Sequence, residues 1–337
     1  MKILILGRLD GWMGLHISHF SDGFIMLGHE ITLIDYHSWD RQVFSLYSNE
    51  KKARLRQKGQ TDNLKTYLLQ NKTDMVIVVT ARLIYDFSEL RASYPGIIVF
   101  YDLDGPDFEG YQKNLQWIKE IDLLLTVSKS SLRSLVNKGH SNVCYLSHGV
   151  NTDYYAPHVM TLKETEYFRA PVAFLGRPTP RRAEYLRAIT TEGLVVWGAQ
   201  WSRKPYSDNE NIKQCIRSRK NVEGMDVVKL YQSTGMLLNI LREPFIGTST
   251  IMNLQVFSGT STGRCLLTEW VEELPEAFEP DTEILTFKNL DEFVEKVKRY
   301  SRDVSAAEKI GSAGRKRCIA EHTHRHRAFR IMQILQT

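Results

Sequence analysis

Short apolar, β-branched runs alternate with longer stretches of helical periodicity from residue 2 to about residue 146, and no other feature constrains the fold as strongly. Parallel strands are buried on both faces and joined by crossovers, so this alternation predicts βαβ units around a parallel sheet. The expected strands are Lys2 to Leu6, Glu30 to Asp35, Met75 to Val79, Ile97 to Asp102, Leu123 to Val127 and Val143 to Leu146. Leu15 to Leu27 carries helical spacing and stops at Gly28-His29, a helix C-cap. The periodicity lapses through Ser147-His148-Gly149-Val150-Asn151 and Tyr154-Tyr155-Ala156-Pro157, then resumes. The second series predicts strands at Val172 to Leu175, Leu194 to Trp197, Met236 to Asn239, Cys265 to Thr268 and Glu283 to Thr286. After Leu290 the pattern is helical to the end, with Gly311 and Gly314 as expected interruptions.

A chain of 337 residues, at roughly 150 per domain, accommodates this doubled series as two domains. The expected class is α/β, two Rossmann-like domains facing a central cleft, spanning 1–150 and 151–320, with a helix at 321–337 packing back on the first. Hydrophobic residues at 42% and charged residues at 25% exclude wholesale disorder and fibrous repeats. The net charge of +5 suits anionic small ligands and admits nucleic acid without demanding it. Cys144, Cys215, Cys265 and Cys318 are far apart and form no C-x-x-C pair, which argues against a zinc ribbon and a disulfide framework. The first apolar run is too short for a signal peptide and no run is long enough for a membrane span, so a cytoplasmic protein is expected.

Open parallel sheets bind ligands at their carboxyl edges, so motifs that follow strands carry the functional signal. Gly7-Arg8-Leu9-Asp10-Gly11-Trp12-Met13-Gly14 lies between strand one and helix one, where Gly11 and Gly14 permit a turn whose amides face a phosphate. A glycine-rich turn without a ligand is the alternative. Phe174-Leu175-Gly176-Arg177-Pro178-Thr179-Pro180-Arg181-Arg182 places three guanidinium groups just past a strand, suited to hold a diphosphate. Cations at a helix amino terminus oppose its dipole, so they need such a reason to be there. Asn253 to Gly263 reads as a helix and a glycine turn before a buried strand, and Gly247-Thr248-Ser249-Thr250 upstream offers amides and hydroxyls for a phosphate or a cap.

The order Gly28-His29-Glu30, Ser147-His148-Gly149-Val150-Asn151, Phe174-Leu175-Gly176-Arg177 and Asn253-Leu254-Gln255-Val256-Phe257 through Gly263 to Leu267-Thr268 resembles the GT-B glycosyltransferases. Within them the chain is most similar to the CgeB-like (spore maturation protein) branch. The resemblance implies transfer of a sugar from a nucleotide diphosphate donor, here expected to be UDP-linked, held by the carboxyl-terminal domain. The acceptor would lie on the amino-terminal domain. No metal and no cofactor beyond the nucleotide-sugar co-substrate are implied, and retention of configuration is the expected course. By position, Gly176 and Arg177 with Arg181 or Arg182 would face the diphosphate, Trp197-Gly198 the nucleotide, and Asn239 with the loop from Gly247 to Asn253 the sugar and phosphates. Two departures stand out. Ser258 occupies the place of an acidic residue that accepts from the ribose, and Thr250 that of a second acidic residue eight positions earlier. They motivate the alternative reading, a catalytically silent nucleotide-binding or interaction module.

Tyr101-Asp102-Leu103-Asp104 contains a D-x-D, a metal motif in a different glycosyltransferase fold. The two-sheet organisation argues against that use, leaving Asp102 or Asp104 to orient or deprotonate an acceptor hydroxyl, or to cap a helix. His16, one turn past the glycine loop beside His19, is a candidate contact to sugar or phosphate, against a structural role. His322, His324 and His326 read as packing or solvent groups. Basic stretches Lys51 to Lys58 and Arg315 to Arg330 fit amphipathic helices, with a nucleic-acid acceptor left open beside a saccharide, a protein or a metabolite. Nothing in the sequence speaks to oligomeric state.

Overall fold

The computed structural model describes residues 1–39, 49–79, 84–103, 115–218, 220–242 and 251–336. The chain divides into two compact units, one made of Met1–His148 with the stretch from His324 onwards, the other of Gly149–Thr323. The breaks therefore fall after His148 and Thr323, beside the expected 150 and 320.

In the first unit the strands are β1 (Lys2–Gly7), β2 (Glu30–Asp35), β3 (Met75–Val79), β4 (Ile97–Asp102), β5 (Leu123–Thr126) and β6 (Val143–Tyr145). They form one parallel sheet in the order β2-β1-β3-β4-β5-β6. The crossovers contain α1 (Gly11–Ile25), α2 (Asn49–Gln70), α3 (Phe87–Ser93) and α4 (Lys129–Asn137). The middle strands are buried on both faces, β3 along its whole length, because helices cover the sheet on either side. α1 ends as the sequence predicts: Gly28 takes φ +82° and the His29 amide returns to the Phe24 carbonyl.

The second unit opens with α5 (Leu162–Phe168) and continues through β7 (Ala170–Leu175), α6 (Pro180–Arg187), β8 (Leu194–Trp197), α7 (Glu210–Cys215) and β9 (Ile216–Ser218). Then come α8 (Met225–Gln232), β10 (Thr234–Asn239), α9 (Leu254–Ser261), β11 (Cys265–Glu269), α10 (Leu274–Ala277), β12 (Leu285–Phe287), α11 (Leu290–Tyr300) and α12 (Val304–Glu321). Its sheet is also parallel, in the order β12-β11-β10-β7-β8-β9. Phe174, Val196, Leu238 and Leu267 fill its core with Phe287 and Phe293, each such fully buried side chain contributing about 1.5–3 kcal/mol. Each unit is one Rossmann-like domain, and the expected α/β class with two parallel sheets is what the chain adopts.

Gly311 and Gly314 do not interrupt the last helices. Both lie inside α12, where a Cβ at Gly311 would stand 2.4 Å from the Gly263 carbonyl oxygen and one at Gly314 2.3 Å from that of Glu283. They are contact points rather than breaks. After Thr323 the chain re-enters the first unit as α13 (His324–Ile334), which lies against α1 so closely that a Cβ on Gly23 would stand 2.4 Å from the His324 carbonyl oxygen. No helix among the described residues is long and apolar enough to cross a membrane.

Candidate functional site

In the second sheet the strand order reverses between β7 and β10, and in open α/β sheets the carboxyl edge at such a reversal is where ligands bind. Gly176 and Arg177 follow β7, Gly198 follows β8, Ile240 and Leu241 follow β10, and Glu269 ends β11. The three arginines of this edge do three different things. Arg182 is buried, donates twice to the Ile240 carbonyl at 2.7 and 2.8 Å, and donates once to the Arg177 carbonyl at 2.9 Å. It thereby braces the ends of β7 and β10 across the reversal. Arg181 makes a two-pronged pair with Glu269 at 2.6 and 2.9 Å and donates to the Tyr185 hydroxyl at 3.1 Å. The expectation that Arg181 or Arg182 faces a diphosphate beside Arg177 meets a different arrangement, since each satisfies acceptors of the fold itself. Those acceptors also supply the reason for placing cations at the start of α6.

Arg177 differs. It is exposed, and its guanidinium has no hydrogen-bond or ion-pair partner among the described residues. Gly176 accepts from the Trp201 indole at 2.8 Å and donates to the Trp197 carbonyl at 3.1 Å, which fixes the turn that presents Arg177. Gly198 takes φ +149°, and a Cβ there would stand 2.3 Å from the Gly176 carbonyl oxygen, so the two strand ends meet only because it is glycine. Trp197, expected near the nucleotide, is wholly buried beneath this edge.

Asn239 is buried and bracketed with Asn253: each side-chain amide donates to the other at 3.0–3.1 Å, and Asn239 also donates to Thr268 at 2.9 Å. Asn253 is the N-cap residue of α9, yet its side chain makes no cap hydrogen bond because it is turned to Asn239. The Asn253 side chain therefore leaves the first turn of α9 without its cap bond, and the Val256 amide donates to the Asn253 carbonyl at 3.1 Å. Ser258 does not present itself at that edge. It is buried and hydrogen-bonded to the Tyr231 hydroxyl, whose phenol burial pushes to a higher pKa. The expectation that Ser258 faces a ribose is corrected by that partner. Gly247, Thr248, Ser249 and Thr250 lie outside the described residues.

In the first unit the reversal lies between β1 and β3, and the glycine loop follows β1. Gly11 takes φ +57° with open space around it, whereas a Cβ on Gly14 would stand 2.0 Å from the Leu9 carbonyl oxygen. The N-cap Asp10 makes no cap bond either, because its carboxylate is paired with Arg8, which lowers the Asp10 pKa. Asp102 is fully buried at the end of β4, and Asp104 lies outside the described residues.

His16 is buried too, among neighbours that no local sequence pattern announces. Its ring lies edge-on to His148 at 5.3 Å and to His324 at 5.0 Å between centroids. Burial takes the His16 pKa down to about 3 and holds His148 and His324 well below the ordinary histidine value. The contact to sugar or phosphate expected of His16 gives way here to packing, because the ring is buried against His148 and His324. Among the described residues no group of three or more His, Cys, Asp or Glu side chains is arranged to hold a metal ion.

Residues 181–333 match a family model described as glycosyl transferase-like. Solved structures match over the whole chain. A glycosyltransferase from Rickettsia africae superposes with a TM-score of 0.71 at 14% identity, covering 99% of this chain and 97% of that one. Sucrose-phosphate synthase from Thermosynechococcus elongatus gives 0.70 at 11%, covering 100% and 98%. The chain has the GT-B fold. Anabaena HepE in complex with UDP-glucose follows at 0.67 and 12%, covering 100% of this GT-B chain and 99% of its own. No curated protein matches the sequence.

Proposed function

We propose that the protein is a glycosyltransferase that takes a sugar from a UDP-linked donor bound at the carboxyl edge of the second sheet. The observation that carries this reading is Arg177, an exposed guanidinium without a protein partner among the described residues, which follows β7 at the strand-order reversal. A leaving diphosphate gains negative charge as its bond to the sugar breaks, and a guanidinium with fixed amide donors stabilises that charge where it develops. Such a site meets the diphosphate charge with protein donors, as a metal-independent reaction needs. With retention of configuration, the acceptor hydroxyl attacks the face the diphosphate leaves and its proton passes to a departing phosphate oxygen. The binding of UDP-glucose by HepE, the glycosyl transferase-like match over 181–333 and the CgeB-like motif order support the donor class. The acceptor is a saccharide, a protein, a metabolite or a nucleobase. Four unpaired cysteines fit a cytoplasmic setting.

Calorimetric titration with UDP and a UDP-glucose hydrolysis assay test the reading in Arg177→Ala. Loss of one charge-assisted contact predicts UDP binding weaker by roughly 10- to 100-fold, with turnover reduced at least as much. Unchanged binding and turnover remove Arg177 from the site. The second reading, a silent nucleotide-binding module, is favoured by the burial of Ser258 where a ribose-binding acid is expected. UDP binding without turnover over a broad acceptor panel decides for it.

A further inference from the structure

The second unit has a cavity of about 760 Å³ at the opposite end of its sheet from the edge described above. Its floor is the amino ends of β7 and β10, at Pro171 and Gly235, and its walls include the end of α11 at Tyr300, the start of α12 at Val304 and Ala307, and Arg264 just before β11. A six-residue strand such as β7 spans about 20 Å, which separates the cavity from Arg177. It is built rigidly. Gly235 fits only because it lacks a Cβ, which would stand 2.8 Å from the Pro171 carbonyl oxygen. Gln232 holds the 157–160 wall at two points, accepting from the His158 amide at 2.6 Å and donating to the His158 carbonyl at 2.9 Å. The backbone that carries Arg264 is clamped by α12, since a Cβ on Gly311 would stand 2.6 Å from the Arg264 carbonyl carbon.

Two cations line this cavity without a partner among the described residues: Arg264, which is partly buried, and Arg169, which is exposed. One acid, the exposed Glu308, lines it as well and pairs with neither. The remaining wall is largely apolar, contributed by Pro157, Met160, Pro171, Tyr300 and Val304. A guanidinium in a cavity wall without a protein acceptor is open to a charge-assisted bond from a bound anion, and an apolar ring or chain would cover the surrounding wall.

We propose that this amino-edge cavity binds a small organic anion, a carboxylate or phosphate monoester carrying an apolar ring or chain, with Arg264 as the main anchor and Arg169 as a second cation. The site is separate from the donor edge, so it is occupied at the same time as that edge and its ligand does not compete with UDP.

Phenyl phosphate, benzoate and neutral phenol, titrated into the full chain by calorimetry, test this. The first two are expected to bind and phenol is not, and the stronger of the anions identifies which acid the site takes. Arg264→Ala should weaken the bound anion about tenfold or more, and Arg169→Ala, on the surface and harmless to folding, severalfold. Glu308→Gln should tighten it, a sign that a purely structural role for these residues does not predict. Saturating UDP should leave the anion's affinity unchanged, whereas displacement by UDP would locate the anion at the donor edge and overturn the proposal. Binding of neither anion, or equal binding by wild type and both arginine variants, would also overturn it, whatever becomes of the glycosyltransferase reading.

Discussion

Arg181 and Arg182 sit at the start of a helix, where the dipole disfavours cations, and each is held there by an acceptor remote in sequence. The Ile240 carbonyl is 58 residues from Arg182 and Glu269 is 88 residues from Arg181. No local pattern reveals such pairs, so the three arginines look equivalent in the sequence although only Arg177 is left for a ligand. Ser258 presents the same difficulty in reverse. Its place in the motif suggests that Ser258→Glu would restore a ribose contact and tighten nucleotide binding. Its burial against Tyr231 predicts otherwise: a carboxylate there must be desolvated or protonated, a cost of about 3 kcal/mol. Ser258→Glu should therefore lower the thermal midpoint and leave UDP affinity unimproved. A stable variant with tighter UDP binding would show that this side chain does reach the nucleotide.

At the scale of elements, glycines inside helices separate two opposing effects by magnitude. Replacing a helical glycine by alanine gains up to about 1 kcal/mol of backbone entropy and propensity. Gly59 in α2 has no atom within 4 Å of the place a Cβ would take, so Gly59→Ala should stabilise the chain by about that amount. Gly311 in α12 has backbone at 2.4 Å from its would-be Cβ, and forced separation of packed backbone costs about 1–3 kcal/mol, so Gly311→Ala should be net destabilising. Urea unfolding of the two variants checks both signs. Most of the elements are legible in the sequence. Met75–Val79 and Leu194–Trp197 coincide with the expected strands because burial within a covered parallel sheet leaves an uninterrupted apolar signature. Ile216–Ser218 escapes such a reading because a three-residue edge strand containing Arg217 carries no such signature. Gly311 and Gly314 look like breaks because close helix packing and helix termination use the same residue.

For the whole molecule, the doubled strand series is enough to predict two Rossmann-like domains, while the residues that close the first one cannot be read from it. His16, His148 and His324 come from three distant stretches, and only the return of the chain after Thr323 brings them into one unit. Their surroundings are the second α1 histidine, His19, the rings of Phe20 and Tyr101, and the Arg327 guanidinium, which donates to the Ser147 and His148 carbonyls. The Arg327 charge is positive, and a further positive charge on any of the three rings is disfavoured by both burial and repulsion. The sign of the pH dependence follows. In the unfolded chain these histidines protonate near pH 6.5, and in the folded unit their pKa is depressed, for His16 to about 3. Stability is then fully present above pH 6.5 and is lost as pH falls from 6.5 towards 3, by about 1.4 kcal/mol per pH unit for each ring that stays neutral. Denaturant unfolding between pH 7 and 4.5, followed by hydrogen exchange in α1 and β1, should show the first unit weakening steeply. His16→Phe keeps an aromatic ring at the position and removes its titration, so the slope in that variant should be shallower by up to about 1.4 kcal/mol per pH unit. An identical slope in wild type and His16→Phe would mean that His16 titrates in the folded unit as it does in the unfolded chain, and that the histidine core is open to water.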